Sequence, residues 1–343
     1  MSIKKTILVC LILVLVSSLF LFKVKDEMRD FEVNYTAGKR LGWGETLYRG
    51  TDEHYMFKYL PSSSLIYYPL SRLPLNTAKA VWYIFVVTSC FLLFLVSGKL
   101  LGLSFKEDKY ILLITALILG KFLFREIQLG QINAIVTMIL LLMCRSLGNA
   151  KEDNPCQKDT VSGLLWGLAT ALKPYAVIFL PYFIVKRKWR ALLSGLGVIG
   201  TGLLMPSLFY GIKGNFLVLK EWALTLSQST PGLYTSQDNV SFIALFSKWT
   251  GREGLSMGLA AALIALLAVF FLWLIWRGKG LESPQILETA VLLILIPLVS
   301  PLGWDYTLLS SVLGIIIILK EFSRFPNYWK FSLVASFILI GIS

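Results

Sequence analysis

Histidine is nearly missing: His54 is the single one in a chain of 343 residues. Histidine-rich metal sites and histidine-dependent triads therefore have almost nothing to be built from. The four cysteines, Cys10, Cys90, Cys144 and Cys156, follow no paired spacing, and three sit in apolar runs. That supports neither a disulfide framework nor a zinc site. Charge is scarce as well, at 15% of residues, against about 25% in an average soluble domain. The chain has no Walker lysine loop and no dinucleotide glycine fingerprint. It also shows no internal repeat, coiled coil or low-complexity tract.

What is present is apolar. Hydrophobic residues make up 56% of the chain, and the mean hydropathy is +0.70. One soluble core cannot hide that much surface, because single cores stop growing at roughly 250–300 residues. The runs are long and do not alternate, so helices rather than a barrel are expected. The fold class is all-α: a polytopic integral membrane protein. The balance of 33 Lys+Arg over 20 Asp+Glu gives +13. In this setting the excess is read as loop charge that pins topology, with a minority meeting anionic lipid, and not as nucleic-acid binding.

The first apolar run, Thr6 to Phe22, follows Lys4 and Lys5 and is read as a retained anchor. Further uncharged runs cover Ala80–Gly98, Tyr110–Gly120, Ile127–Cys144, Ala191–Ile212 and Leu255–Trp276. Two regions are broken. Val161–Val185 is split by Lys173-Pro174, and Thr289–Leu319 is split by Ser300-Pro301 and Asp305. The first is expected to be a hairpin of two half-helices of similar length, packed inside protein. The expected count is about eleven crossing or half-crossing segments in one membrane-embedded domain over 1–343. The last run is short and ends at Ser343, as a truncated span would. The cluster Lys186-Arg187-Lys188-Trp189-Arg190 should face the cytoplasm. Residues 23–79 and 213–254 then form two outer loops, and His54 is expected to be an exposed loop residue.

This orientation gathers the unusual polar residues on the outer side. Asp30, Tyr35, Tyr48 and Tyr59 lie in the first loop. Arg125, Glu126, Gln128, Gln131 and Asn133 surround a turn, and Lys173 sits at the hairpin tip. Gln237, Asp238 and Asn239 lie in the second loop, and Trp304 and Asp305 at the last break. A charge near the bilayer centre costs ~2.5–3.5 kcal/mol on insertion scales, so Lys173 and Asp305 need a cavity, a partner or snorkelling. Nucleotides are scarce outside the membrane. An enzyme there needs a substrate activated by a lipid, and a polyprenyl-phosphate sugar is one. Transfer needs a carboxylate base for the acceptor hydroxyl and a cation for the departing phosphate.

The stretch Asp30-Phe31-Glu32-Val33-Asn34-Tyr35-Thr36-Ala37-Gly38-Lys39 resembles the first-loop signature of glycosyltransferase family 87, roughly D-F-x-V-Y-Y-x-A-G-R. Leu47-Tyr48 and Phe57-Lys58-Tyr59-Leu60-Pro61 follow it. Gly130-Gln131-Ile132-Asn133 resembles the family's G-Q-x-N, and Gly167 to Pro174 its glycine-alanine-lysine hairpin. Asn239-Val240-Ser241 is similar to N-x-S, and Ser300-Pro301-Leu302-Gly303-Trp304-Asp305 to S-P-x-S-W-D. The resemblance implies a GT-C membrane fold and an inverting transfer of a hexose, usually mannose, from a polyprenyl-phosphate sugar to a glycolipid or glycan acceptor. It implies no divalent metal and no other cofactor. Asp30 matches the family's first-loop aspartate, the expected base. Asn34, Gly303 and Tyr306 stand where tyrosine, serine and histidine are common, which puts sugar and acceptor choice in question.

The expected roles follow. Asp30 is the catalytic base, or else a solvated interfacial charge beside Arg29. Lys173 and Arg125 bind the donor phosphate, or else Lys173 snorkels and Arg125 pairs with Glu126 or lipid. Tyr35, Tyr59, Gln131, Asn133, Asn239, Trp304 and Asp305 are candidate substrate contacts. Against this, Gln131 and Asn133 could bond between helices, Asp305 could pair with Lys173, and Trp304 could belong to the interfacial belt. The rival function is a transporter or flippase of a lipid-linked sugar, which predicts an inverted repeat.

Overall fold

The computed structural model describes residue 14 and residues 16–104, 106–147 and 154–342. Most of the Thr6–Phe22 anchor, with Cys10, and the side chain of His54 lie outside the described residues. Among the described residues the protein is all-helical, with no strand. The α-helices are α1 (Arg29–Trp43), α2 (Ser64–Leu70), α3 (Leu75–Leu100), α4 (Lys109–Ile118) and α5 (Gly120–Leu129). Then come α6 (Asn133–Ser146), α7 (Pro155–Leu172), α8 (Phe179–Val185), α9 (Trp189–Leu204) and α10 (Ser207–Ser229). The last are α11 (Phe242–Thr250), α12 (Glu253–Arg277), α13 (Pro284–Val299), α14 (Val312–Lys320) and α15 (Asn327–Ile342).

Two helices, α3 and α12, are long and apolar enough to cross a membrane; the number rises to four if α5 with α6 and α9 with α10 each form one broken span. Those pairs are bent by 118° and 92°. The helices α4 and α13 are apolar but shorter, as is the segment Pro174–Val185. The count of about eleven segments is therefore not reproduced at this level.

Both stretches expected as outer loops are largely helical. Residues 23–79 fold into α1, α2 and short 3-10 turns, and residues 213–254 contain most of α10 and all of α11. The hairpin at 161–185 also differs from the expected pair of equal halves. Its first arm, α7, is 18 residues long because Pro155 starts it at the first helical position, ahead of the apolar run. Lys173 then turns extended (φ −139°, ψ 116°), as the residue before Pro174 must. The second arm is a 3-10 turn, Pro174–Ile178, followed by the seven-residue α8.

Three packing features set the positions of the candidate side chains. First, α1 is held against the α5–α6 turn. Phe31 is fully buried and stacks on Trp82 of α3 at 5.8 Å, and Tyr67 of α2 lies 4.9 Å from the same indole. The Trp82 indole N–H donates to the Gly130 carbonyl at 2.7 Å. Gly130 has φ +68°, and a Cβ there would meet the Phe31 Cβ at 2.8 Å, so only glycine both turns the chain and lets α1 approach. Second, Ser62 donates to the Ala171 carbonyl at 2.8 Å, tying the segment between α1 and α2 to the end of α7. The Trp166 indole donates to the Ala176 carbonyl at 2.9 Å, which fixes the turn after Lys173. Third, α7 and α9 touch backbone to backbone. A Cβ on Gly195 would sit 2.2 Å from the Trp166 ring and 2.8 Å from the Gly163 carbonyl. Gly195→Val is expected to destabilise the fold by about 1–3 kcal/mol or more, read as a lower melting temperature in lipid nanodiscs; an unchanged melt means that the helix pair can open freely.

Candidate active site

The C-cap of α5 is the left-handed Gly130, and its geometry reverses the chain. The last turn of α5 then faces the first turn of α6. Glu126, fully buried, accepts from the Ala134 backbone N–H at 2.8 Å and from the Asn133 Nδ2 at 2.7 Å. The first N–H groups of a helix have no partner within it, and they carry the positive end of its dipole. Both features offset part of the cost of burying a carboxylate there. The bond to Nδ2 also orients the Asn133 amide. Its Oδ1 points the other way and accepts from the Lys173 Nζ at 2.6 Å and the Tyr175 hydroxyl at 3.2 Å.

Gln131 lies at the centre. Its Nε2 donates to the Asp30 carboxylate at 2.5 Å and to the Tyr306 hydroxyl at 3.0 Å. Its Oε1 accepts from the Tyr59 hydroxyl at 3.1 Å and the Lys173 Nζ at 3.3 Å. A side-chain amide has two N–H donors and one two-lone-pair acceptor, so Gln131 is fully engaged. One buried amide thus joins residues from four distant parts of the chain. The Asp30 carboxylate and the Lys173 ammonium both bond to it. Asp30 is half-buried in the first turn of α1, whereas Lys173 is buried. The ammonium lies 4.9 Å from the Tyr59 ring centre and 5.5 Å from that of Tyr175, a cation–π enclosure. Burial, and next the negative charge of Asp30 and Glu126, push the Tyr59 phenol well above its ordinary value, so it stays a donor.

Arg125 forms a second layer. It donates to Asp305 Oδ2 at 2.5 Å and to Asp238 Oδ2 at 2.9 Å, and its guanidinium sits 5.9 Å from the Tyr306 ring centre. The hydrogen bond from Arg125 holds the Asp238 carboxyl below its usual range. Lys121 lies 3.9 Å from Asp305. The partner expected for Asp305 is therefore corrected from Lys173 to Arg125. The reason is local: Asp305 Oδ1 is already turned to the Tyr306 N–H at 2.7 Å, and the Asp305 N–H bonds the Asp238 carbonyl at 2.9 Å. Arg125 does not pair with Glu126 either, since that carboxylate is turned inward to α6. Two of the five guanidinium N–H groups are thus given to carboxylates, which already balance the charge of Arg125.

Other candidates sit apart from the centre. Asn239 donates to the carbonyls of Leu233 and Pro301 at 3.2 and 3.0 Å, and accepts from the N–H groups of Ser241 and Gly303 at 3.1 and 3.2 Å. All its capacity goes into joining two loops, where it also forms an isolated bridge with Trp304. At Gly303 a Cβ would lie 1.7 Å from the Pro297 carbonyl oxygen, so this backbone has no room for the serine common in the family. The Tyr35 hydroxyl donates to the Leu73 carbonyl at 2.8 Å, away from Gln131, and the ring lines a separate cavity.

Tyr175 and Tyr306 carry more of the geometry than their sequence positions suggested, and so does Glu126. The usable signal was the spacing of Glu126 and Asn133 across a glycine, which a sharp turn would bring together. Among the described residues no three His, Cys, Asp or Glu side chains group as metal ligands.

Comparison with known proteins follows the same residues. The family model described as glycosyltransferase family 87 matches residues 57–301, a stretch that includes Tyr59, Arg125, Gln131, Asn133, Lys173 and Asn239. Asp30 and Tyr35 precede it, and Trp304 and Asp305 follow it. A relative from Mycolicibacterium smegmatis (strain ATCC 700084 / mc(2)155) is a polyprenol-phosphate-mannose-dependent alpha-(1-2)-phosphatidylinositol pentamannoside mannosyltransferase. It is 25% identical over 251 residues, which are 73% of this chain and 58% of the relative. The chain thus spans less than two-thirds of that protein's length. No solved structure matches.

Proposed function

The chain belongs to glycosyltransferase family 87, and we propose that it moves a hexose, mannose, from a polyprenyl-phosphate sugar to a lipid or glycan acceptor. The observation that carries this reading is the shared bonding of Asp30 and Lys173 to the Gln131 amide. It supplies a carboxylate and an ammonium at one place, which are the two charges that the transfer requires. In the proposed reaction Asp30 takes the proton of the acceptor hydroxyl as its oxygen attacks the anomeric carbon. The bond from that carbon to the phosphate oxygen breaks, and the electron pair leaves with the polyprenyl phosphate. Lys173 offsets the charge that collects on this leaving group. Attack from the face opposite the phosphate inverts the centre. No step is assigned to a metal or a cofactor.

The proposed location is a cytoplasmic membrane, with the site on the outer side. Lys173 stands at the start of the segment Pro174–Val185, and the basic cluster Lys186–Arg190 begins at its end. Positive loops favour the inner side, which assigns the other end to the outer one. The test is the full chain in lipid nanodiscs with radiolabelled undecaprenyl-phosphate mannose and a membrane lipid extract. Label is expected in a new glycolipid and released carrier phosphate in equal amount. Movement of intact donor across vesicle membranes without any new product would instead favour the transporter.

A further inference from the structure

A cavity of about 620 Å³ beside α1 takes no part in the proposed reaction. Glu32, Tyr35, Lys39, Arg72, Leu73 and Leu75 are among its lining residues. Its charges are unbalanced. The Glu32 carboxylate is neutralised by Lys79 at 2.6 Å and by Arg29 at 3.4 Å. Lys39 and Arg72 have no carboxylate partner among the described residues. Aromatic faces hold them instead. The Lys39 Nζ lies 5.1 Å from the Tyr35 ring centre and 6.0 Å from that of Trp43. Arg72 donates to the Tyr68 hydroxyl at 2.6 Å and lies 4.8 Å from its ring centre. Lys39 follows a close approach of α1 to α2, the helix that leads to Arg72: a Cβ on Gly38 would meet the Tyr67 carbonyl oxygen at 2.6 Å.

The cavity is also apolar along one side. Leu73, Pro74 and Leu75 are exposed and lead into α3, the 26-residue candidate span. Trp43 is exposed on the same helix as Lys39, as an aromatic anchor at a membrane border would be. Two uncompensated cations above exposed leucines at the head of a span fit an anionic headgroup with acyl chains below it.

We propose that this cavity binds the phosphodiester headgroup of a membrane lipid, with the phosphate between Lys39 and Arg72 and the chains along the start of α3. The site does not depend on the transfer reaction. Nine residues separate Asp30 from Lys39 on one helix, about 13 Å along its axis. A phospholipid carrying a short glycan would therefore keep its phosphate at one end of α1 and its sugars toward the end that bears Asp30. The lipid is either a bulk anionic phospholipid or such a glycosylated one.

Native mass spectrometry of the full chain, titrated with phosphatidylglycerol, mannosylated phosphatidylinositol, phosphatidylcholine or inorganic phosphate, decides the matter. Anionic lipid is expected to bind about tenfold or more tightly than phosphatidylcholine. The double variant Lys39→Ala/Arg72→Ala should lose that preference, while Lys39→Arg/Arg72→Lys keeps it. Arg187→Ala/Arg190→Ala, in the basic cluster at 186–190, should leave it intact. Stronger binding of the mannosylated lipid supports the site and assigns it to an acceptor; equal binding supports it as a bulk-lipid site. An unchanged preference in the alanine pair overturns the proposal. So does an equal loss in the 187/190 pair, or inorganic phosphate binding as tightly as lipid.

Discussion

Asp30→Asn should leave a folded protein whose sugar transfer falls about 10²–10⁴-fold, the usual worth of a positioned general base. The substitution is nearly isosteric. Asp30 accepts from the Gln131 Nε2 at 2.5 Å, and an asparagine oxygen can take that bond. The other side-chain atom changes from a proton acceptor to an N–H donor, so it can no longer remove a proton from a hydroxyl. Phe31, which anchors this turn of α1, is untouched. Turnover should collapse while the melting temperature and the donor KM stay near those of the unaltered protein. If Asp30 were only a solvated interfacial charge, its neutralisation would shift turnover by less than about twofold, since exposed charges contribute little. Initial rates in nanodiscs at saturating donor separate the two cases. A variant turning over at an ordinary rate removes Asp30 as the base.

Part of this arrangement was legible in the sequence. The runs Ala80–Gly98 and Leu255–Trp276 lie inside α3 and α12, because a long uncharged stretch has one stable form when water is absent. The breaks at Lys173-Pro174 and Ser300-Pro301 were legible too, since proline ends a helix locally. The turn around residues 125–133 was legible as well, whereas the bend between α9 and α10, beside Pro206, falls inside the run Ala191–Ile212, which reads as continuous. The α5–α6 turn needs Trp82, 48 residues away, to hold the Gly130 carbonyl. Charge partners were the least legible. Arg125 meets Asp305 across 180 residues and Asp238 across 113, and nothing in the spacing selects these over Glu126 or Lys173. The candidate site divided along the same line. Short motifs marked Gln131 and Asn133, but only the folded chain gives them Glu126, Tyr175 and Tyr306 as neighbours.

Lys173→Met is expected to lower both turnover and stability, and the two losses can be separated. Methionine fills similar length between Tyr59 and Tyr175 but donates nothing. Asn133 Oδ1 loses its 2.6 Å bond and Gln131 Oε1 its 3.3 Å bond. An underbonded buried acceptor costs on the order of 1–3 kcal/mol. The Glu126 carboxylate behind Asn133 is then left in a buried network with no nearby ammonium. Turnover should fall about 10²–10³-fold, the range for removing one preorganised group that stabilises transition-state charge. Lys173→Arg should not rescue it, because a planar guanidinium does not pack as a compact ammonium between two rings. The double variant Glu126→Gln/Lys173→Met supplies the decisive comparison. It removes both buried charges, so much of the lost stability should return, a coupling readable as a double-mutant cycle. Activity should stay low, because the other candidate cation, Arg125, is already paired with Asp305 and Asp238. If activity returned along with stability, Lys173 would be a counter-ion for Glu126 alone, and the donor phosphate would have to be stabilised elsewhere.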